Sequence, residues 1–364
     1  MRIKRLRRAF CLLFSLLLAG SLCLPAAGAA LPADRDWERI SIRSAEDLVR
    51  FAESCSYDAW SRNKYVVLER DISLGGVDYL PAASFSGVFD GGGHTISGLS
   101  LTAEVSPAGL FGCLESGSRV MNLTVTGSVT PQGEGRQVGG IAGINRGTVS
   151  DCVFSGSVRG EDMTGGIVGE NRSEGVLRRC LVTGGVFGMR MTGGVAGASS
   201  GTVSACANRA YVNTDTVDPG ISLSDLNLDL EDSLRRLASP DTYHVATDSG
   251  GIAGFSDGVL SACRNYGTVG YQHVGYNVGG IAGRSSGLAS GCVNYGQVYG
   301  RKDVGGVAGI AEPYVVIRIT EGALDTVREE LNTLSALVDR AAADAAGSSA
   351  TVSARLSSSS TLLR

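Results

Sequence analysis

The sequence predicts an all-β solenoid, a right-handed parallel β-helix, on three observations. The first is composition: 52 of 364 residues are Gly, with 8 Pro and no every-third-residue period, which excludes collagen. At 43% hydrophobic and 19% charged, the chain can bury a core, which excludes general disorder. The second observation is a repeat: GGIAG at 139, GGIVG at 165, GGVAG at 193, GGIAG at 250 and 279, and GGVAG at 305. The spacings are 26, 28, 57, 29 and 26 residues, and the 57 reads as one repeat with an insertion. The third is the second half of each unit, a Gly, then an apolar residue, then Cys. The copies are Gly147-Val149-Cys152, Gly175-Leu177-Cys180, Gly201-Val203-Cys206, Gly258-Leu260-Cys263 and Gly287-Ala289-Cys292. Val158, Val186, Val212, Val269 and Val298 follow at a fixed offset, and a degenerate earlier copy, AGLFG at 108–112, precedes the series.

Short apolar alternations suit short strands. A unit this small encloses no core alone, but stacked units do. Equivalent strands then pair in parallel about 4.8 Å apart, with like side chains in columns. We read three strands per turn, right-handed by the crossover rule. Glycines are expected to supply positive-φ turns, with the Gly-Gly pair turning the chain between two faces.

At these residues the chain resembles the GLUG-motif repeat proteins, whose unit reads approximately GGLVG-x-N-x-G-x-I-x-N-C. GGIAGINRGTVSDC at 139–152 matches it nearly position by position, and FSGVFDGGGHTISGL at 85–99 is similar to the first coil of such domains. The resemblance covers roughly residues 37–312. It implies a β-helix of the pectin-lyase-like kind and a bacterial extracellular or surface location. Such repeats also occur in IgA-specific metallopeptidases as non-catalytic regions. The resemblance implies no reaction, because the motif carries no catalytic residue.

In chain order, residues 1–29 read as a secretory signal peptide: Arg2, Lys4, Arg5, Arg7 and Arg8, an apolar stretch from Ala9 to Leu24, then a small-residue exit. Its removal leaves 27 basic against 36 acidic residues. An exported acidic chain makes a poor nucleic-acid binder, since phosphate contacts supply most of that affinity. No later segment reads as a membrane span. Residues 30–70 are expected to form an N-terminal cap. Ser44 with Glu46 and Asp47 signals a helix start, and Leu48, Phe51, Ala52 and Cys55 share a face, giving helix 45–55. Lys64–Leu68 and Asp71–Leu74 are expected as the first strands, and residues 71–312 as the repeat solenoid.

An inserted helical loop is expected at about 211–248, where Leu230, Leu234 and Leu237 suit a helix in an acidic, solvated setting. From 313 to 346, Leu324, Val327, Leu331, Leu334, Val338, Ala341 and Ala345 form a heptad-like seam. It fits a coiled coil, through which copies would associate, or a single helix packed on the solenoid. Residues 347–364 are Ser-rich and expected to be disordered.

Candidate chemistry is sparse. Five cysteines share one repeat position and are expected to form a ladder of buried free thiols rather than disulfides. No C-x-x-C pair and no metal-binding His spacing occurs, so we expect no metal, cofactor or catalytic residue. Asp151, Asp162 and Asp303 form no acidic column of the kind a polysaccharide lyase or hydrolase needs. The candidate binding residues are Tyr266, Tyr271, Tyr276, Tyr295 and Tyr299, on one coil edge; they read equally as rings covering the flank. Three functions stay open. The favoured one is a non-catalytic secreted or cell-surface adhesin or scaffold for glycans or host and cell-surface proteins. The others are a carbohydrate-active enzyme and a spacer segment of a larger exported protein such as a surface peptidase.

Overall fold

The computed structural model describes residues 36–57, 59–214 and 246–313, with residues 332, 333, 335–337 and 340 beyond them. The chain divides into two compact units, Met1–Pro313 and Tyr314–Arg364. In the second unit the six described residues are helical. The signal peptide, the helix within the insertion, the heptad seam and the Ser-rich tail all fall outside the described residues.

The first unit is a parallel β-solenoid whose strands line up in four sheets. Sheet A runs from Glu38–Ile42 to Leu288–Ser290, sheet B from Ile72–Ser73 to Val293–Asn294, sheet C from Ala82–Phe85 to Ala308–Ala311 and sheet D from Arg136–Gly139 to Lys302–Gly305. The repeat spacing is the pairing register. Gly139 pairs with Gly165, and the column continues through Gly193, Gly250, Gly279 and Gly305. The 57-residue step is therefore a single rung. Strands Tyr211–Val212 and Thr247–Gly250 both belong to the ladder, so the chain leaves and rejoins it between them.

Two expectations need correction. From residue 136 onward each turn has four strands rather than three, as in Arg136–Gly139, Ala142–Asn145, Thr148–Ser150 and Val153–Arg159. The three-strand count holds only for the two turns before it, from Ala82–Phe85 to Thr124–Val129. The extra strand is hidden in the motif: the first Gly ends a D strand, and a C strand opens three residues on. The Gly-Gly pairs do carry the chain from one face to the next, from sheet D to sheet C, but without left-handed backbone. None of the six Gly-Gly pairs has positive φ. They permit close approach instead: a Cβ on Gly250 would lie 1.8 Å from the Ala253 carbonyl oxygen, and one on Gly251 2.2 Å from that of Gly280. Positive φ falls instead on the second residue of each D strand, Gln137, Met163, Met191, Asp248, Asn277 and Asp303, at 50° to 56°. The left-handed column is thus carried by residues with side chains, which pay strain that the ladder imposes on every rung.

The first strand, Glu38–Ile42, was not foreseen. It precedes the helix and pairs with Lys64–Leu68. Its apolar signal is only Ile40 and Ile42 among charged neighbours. The helix spans Ala45–Ser54, and Ser44 Oγ accepts from the Asp47 amide at 3.2 Å. Leu48, Phe51 and Ala52 are buried, and the Phe51 ring lies 5.6, 5.7 and 6.3 Å from Phe85, Phe89 and Phe111.

Polar ladders hold the later turns. Asn145 Nδ2 donates to Asn171 Oδ1 at 2.8 Å, and Asn171 Nδ2 to Ser199 Oγ at 3.1 Å. In sheet B, Asn208 Nδ2 donates to Asn265 Oδ1 and Asn265 Nδ2 to Asn294 Oδ1, both at 2.8 Å. Each Asn also closes its own turn, as where the Gly267 amide donates to Asn265 Oδ1 at 3.2 Å. Asn145, Asn171, Asn208 and Asn265 are fully buried, so one that loses its neighbour leaves an unpaired amide. All seven described cysteines are free. Burial pushes the Cys55 and Cys113 thiols up to about 12, and raises Cys152 as well. Among the described residues no helix is long and apolar enough to cross a membrane.

Candidate functional site

The side chains that stand out lie on the outer face of sheet B. In its last three rungs Asn208, Asn265 and Asn294 point inward, so strand alternation turns the next residues outward. These are Arg209, Tyr266 and Tyr295, each three positions past a ladder cysteine. One rung apart, Tyr266 and Tyr295 stack with centroids 5.0 Å apart and planes 9° from parallel. Arg209 lies over the other side of Tyr266, 5.4 Å from its centroid. Each contact contributes about 0.5–1 kcal/mol at an exposed site.

Tyr266 is 44% exposed and Tyr295 62%. Both faces of Tyr266 are covered, one by Tyr295 and one by Arg209, so it offers solvent its edge and hydroxyl. Tyr295 keeps its far face open among the described residues. Tyr211, on the rung of Arg209, is 58% exposed beside this stack.

The other three candidate tyrosines do not join it. Tyr276 starts a sheet D strand and is half-buried, with Arg301 over its ring at 5.9 Å. Tyr271 is exposed in the loop between, bridged to Val274. Tyr299 donates its hydroxyl to Gln297 Oε1 at 2.8 Å. The candidate edge is therefore a stacked pair and three separate rings. The sequence reading missed Arg209 and Tyr211. For Arg209 the signal was present: its offset from Cys206 is that of Tyr266 from Cys263 and Tyr295 from Cys292. It was hidden because one member is not aromatic.

The carboxylates stand apart from this face. Asp151, at the corner between sheets A and B, accepts from Arg179 through both oxygens at 2.6 Å, which raises the Arg179 pKa. Asp162 lies between Arg136 and Arg190 on adjacent rungs of sheet D. Its Oδ2 accepts from Arg190 at 3.1 Å, while its buried Oδ1 has no protein partner. Among the described residues no group of three His, Cys, Asp or Glu side chains is placed to hold a metal ion.

No family model matches the chain. Over 109 residues it is 38% identical to halomucin from Haloquadratum walsbyi, a match that takes in 28% of this chain and 1% of halomucin's length. It is also similar to a solved structure described as a putative immunoglobulin A1 protease from Bacteroides ovatus. The TM-score is 0.50 at 18% identity, covering 76% of this chain and 84% of that one. The second likeness is one of fold.

Proposed function

We propose that this chain is a non-catalytic extracellular β-solenoid that acts as an adhesin or interaction scaffold. The observation that carries the reading is the Arg209–Tyr266–Tyr295 stack, held on adjacent rungs of a rigid ladder. Rigid elements present a binding group with little ordering cost. The signal-like start, the GLUG-like repeat, the match to halomucin and the fold shared with the Bacteroides ovatus structure support an extracellular setting. In this reading the solenoid is right-handed, Ala45–Ser54 covers its first coil, and the heptad-patterned sequence at 313–346 serves self-association.

The test is incubation of the purified chain with plant, bacterial and host glycans and with host surface proteins, measuring retention and released sugar ends. Retention without new ends is the expected result. Released ends would overturn the non-catalytic reading and turn attention to Asp162 between its two arginines.

A further inference from the structure

The outer face of sheet B differs in charge from the rest of the chain. Past its first rung, Ile72–Ser73 with Asp71 beside it, the seven rungs at residues 95–101, 124–129, 153–159, 181–187, 207–213, 264–270 and 293–299 contain no Asp or Glu. They do contain Arg159, Arg209 and Arg264, all exposed, in a chain with 36 acidic and 32 basic residues. The nearest acid at one corner, Asp151, is neutralised by Arg179. Glu161 lies beyond the other corner, after Gly160. Arg264 has no partner among the described residues, and Arg209 and Arg159 lie over rings, of Tyr266 and Phe187. Below Arg209 in its column the outward side chains are hydroxyls, Thr126, Ser155 and Thr183, flanked by Val153 and Leu181 on one side.

From this we infer that the outer face of sheet B binds a carboxylate-bearing polysaccharide, a polyuronate, laid along the solenoid axis. Guanidinium groups pair with carboxylates in a planar, two-bond geometry. Hydroxyl rungs complement the hydroxyls of a sugar chain, and the open face of Tyr295 offers an apolar platform for a pyranose ring. The rung spacing, about 4.8 Å, lines up Thr126, Ser155, Thr183, Arg209, Tyr266 and Tyr295 in one column, with Arg264 two positions to its side and Arg159 at the far end of its strand. An acidic peptide fits less well, because the backbone of the face is already paired from rung to rung and offers no edge for strand addition. Nucleic acid is disfavoured by the overall negative charge.

This rests on the interaction reading above and deepens it, and the test separates the two. The full chain is passed over immobilised polygalacturonate, neutral dextran and polyglutamate at low and moderate salt. Retention is expected on polygalacturonate alone. It should fall at least tenfold in Arg264→Ala and in Tyr295→Ala, and less in Arg209→Lys, which keeps the charge. These side chains are exposed, and unchanged melting of each variant confirms folding. Equal retention on polyglutamate would overturn the glycan assignment. Retention on dextran that ignores Arg264 would overturn the uronate assignment while leaving the interaction reading intact. Retention on none of the three overturns the proposal; if the wider glycan and protein panel also retains nothing, the interaction reading falls with it.

Discussion

The two turns between residues 82 and 129 and the turns from 136 to 311 stack on one axis but use aromatic rings differently. In the early turns Phe85, Phe89 and Phe111 lie inside, gathered around Phe51 from the helix. In the last turns the exposed rings include Tyr211, Tyr266 and Tyr295, and the interior holds Ile252, Leu260, Cys263, Ile281 and the Asn ladder. Phe154, packed against Gly140 in the first four-strand turn, is the last buried ring among the described residues. Its column continues as Val182, Asn208, Asn265 and Asn294. The comparison teaches that one interior column can pass from a ring to an aliphatic side chain to an amide ladder while the backbone register is kept.

The largest test sets two phenylalanines against each other. Phe89→Ala empties a fully buried site and should cost about 3–5 kcal/mol, whereas Phe255→Ala, on the outer face of sheet C, should cost under about 1. Thermal melts of the two variants check this, and equal losses would mean that the two regions are not packed differently. The next compares one motif position on two rungs. Gly251→Ala should cost about 3 kcal/mol, because its Cβ meets the Gly280 carbonyl and the Asn265 side chain. Gly306→Ala, where nothing lies within 4 Å, should change stability by about 0.5 kcal/mol or less. Denaturant midpoints decide it.

A third prediction concerns the amide ladder of the later turns. Asn265→Ala leaves Asn208 and the Gly267 amide without their acceptor and should cost about 2–3 kcal/mol. Asn294→Ala, on the last described rung of sheet B and only half-buried, should cost about half as much. The smallest effect lies in the early region, where charge links the first two strands. Hydrogen bonds from Arg43 and Ser41 lower the Glu69 pKa from about 4.5 to about 2. A carboxylate depressed on folding contributes stability that is complete above about pH 4.5 and is lost as pH falls through about 2. Glu69→Gln should therefore melt slightly lower than the parent at neutral pH and converge with it near pH 2. A gap that persists at pH 2 would show that the ion pair is not its source.

The repeat register was legible because it is arithmetic: the same offsets recur in sequence and in space. The helix was legible because Ser44, Glu46 and Asp47 mark its start and Leu48, Phe51 and Ala52 one of its faces. The strand count was not, because two strands joined at a Gly-Gly pair look like one strand and a turn. The close approach of the glycines was hidden for a related reason, since the second Gly of each pair meets a carbonyl one rung on, as Gly251 meets Gly280. Of the candidate site, the Tyr266–Tyr295 pair was visible from spacing. Arg209 and Tyr211 were not, because the column changes chemistry as it climbs.

Gly193 and Gly250 pair as directly as Gly139 and Gly165, although the first pair is separated by more than twice as much chain. Closing a longer connection adds little entropy cost, about 0.6 kcal/mol per doubling. The ladder therefore counts rungs rather than residues. A lineage carrying such a scaffold can lengthen, trim or exchange the sequence between Val212 and Thr247 while every other side chain keeps its height and bearing, so that one corner is free to diversify over an unchanged frame.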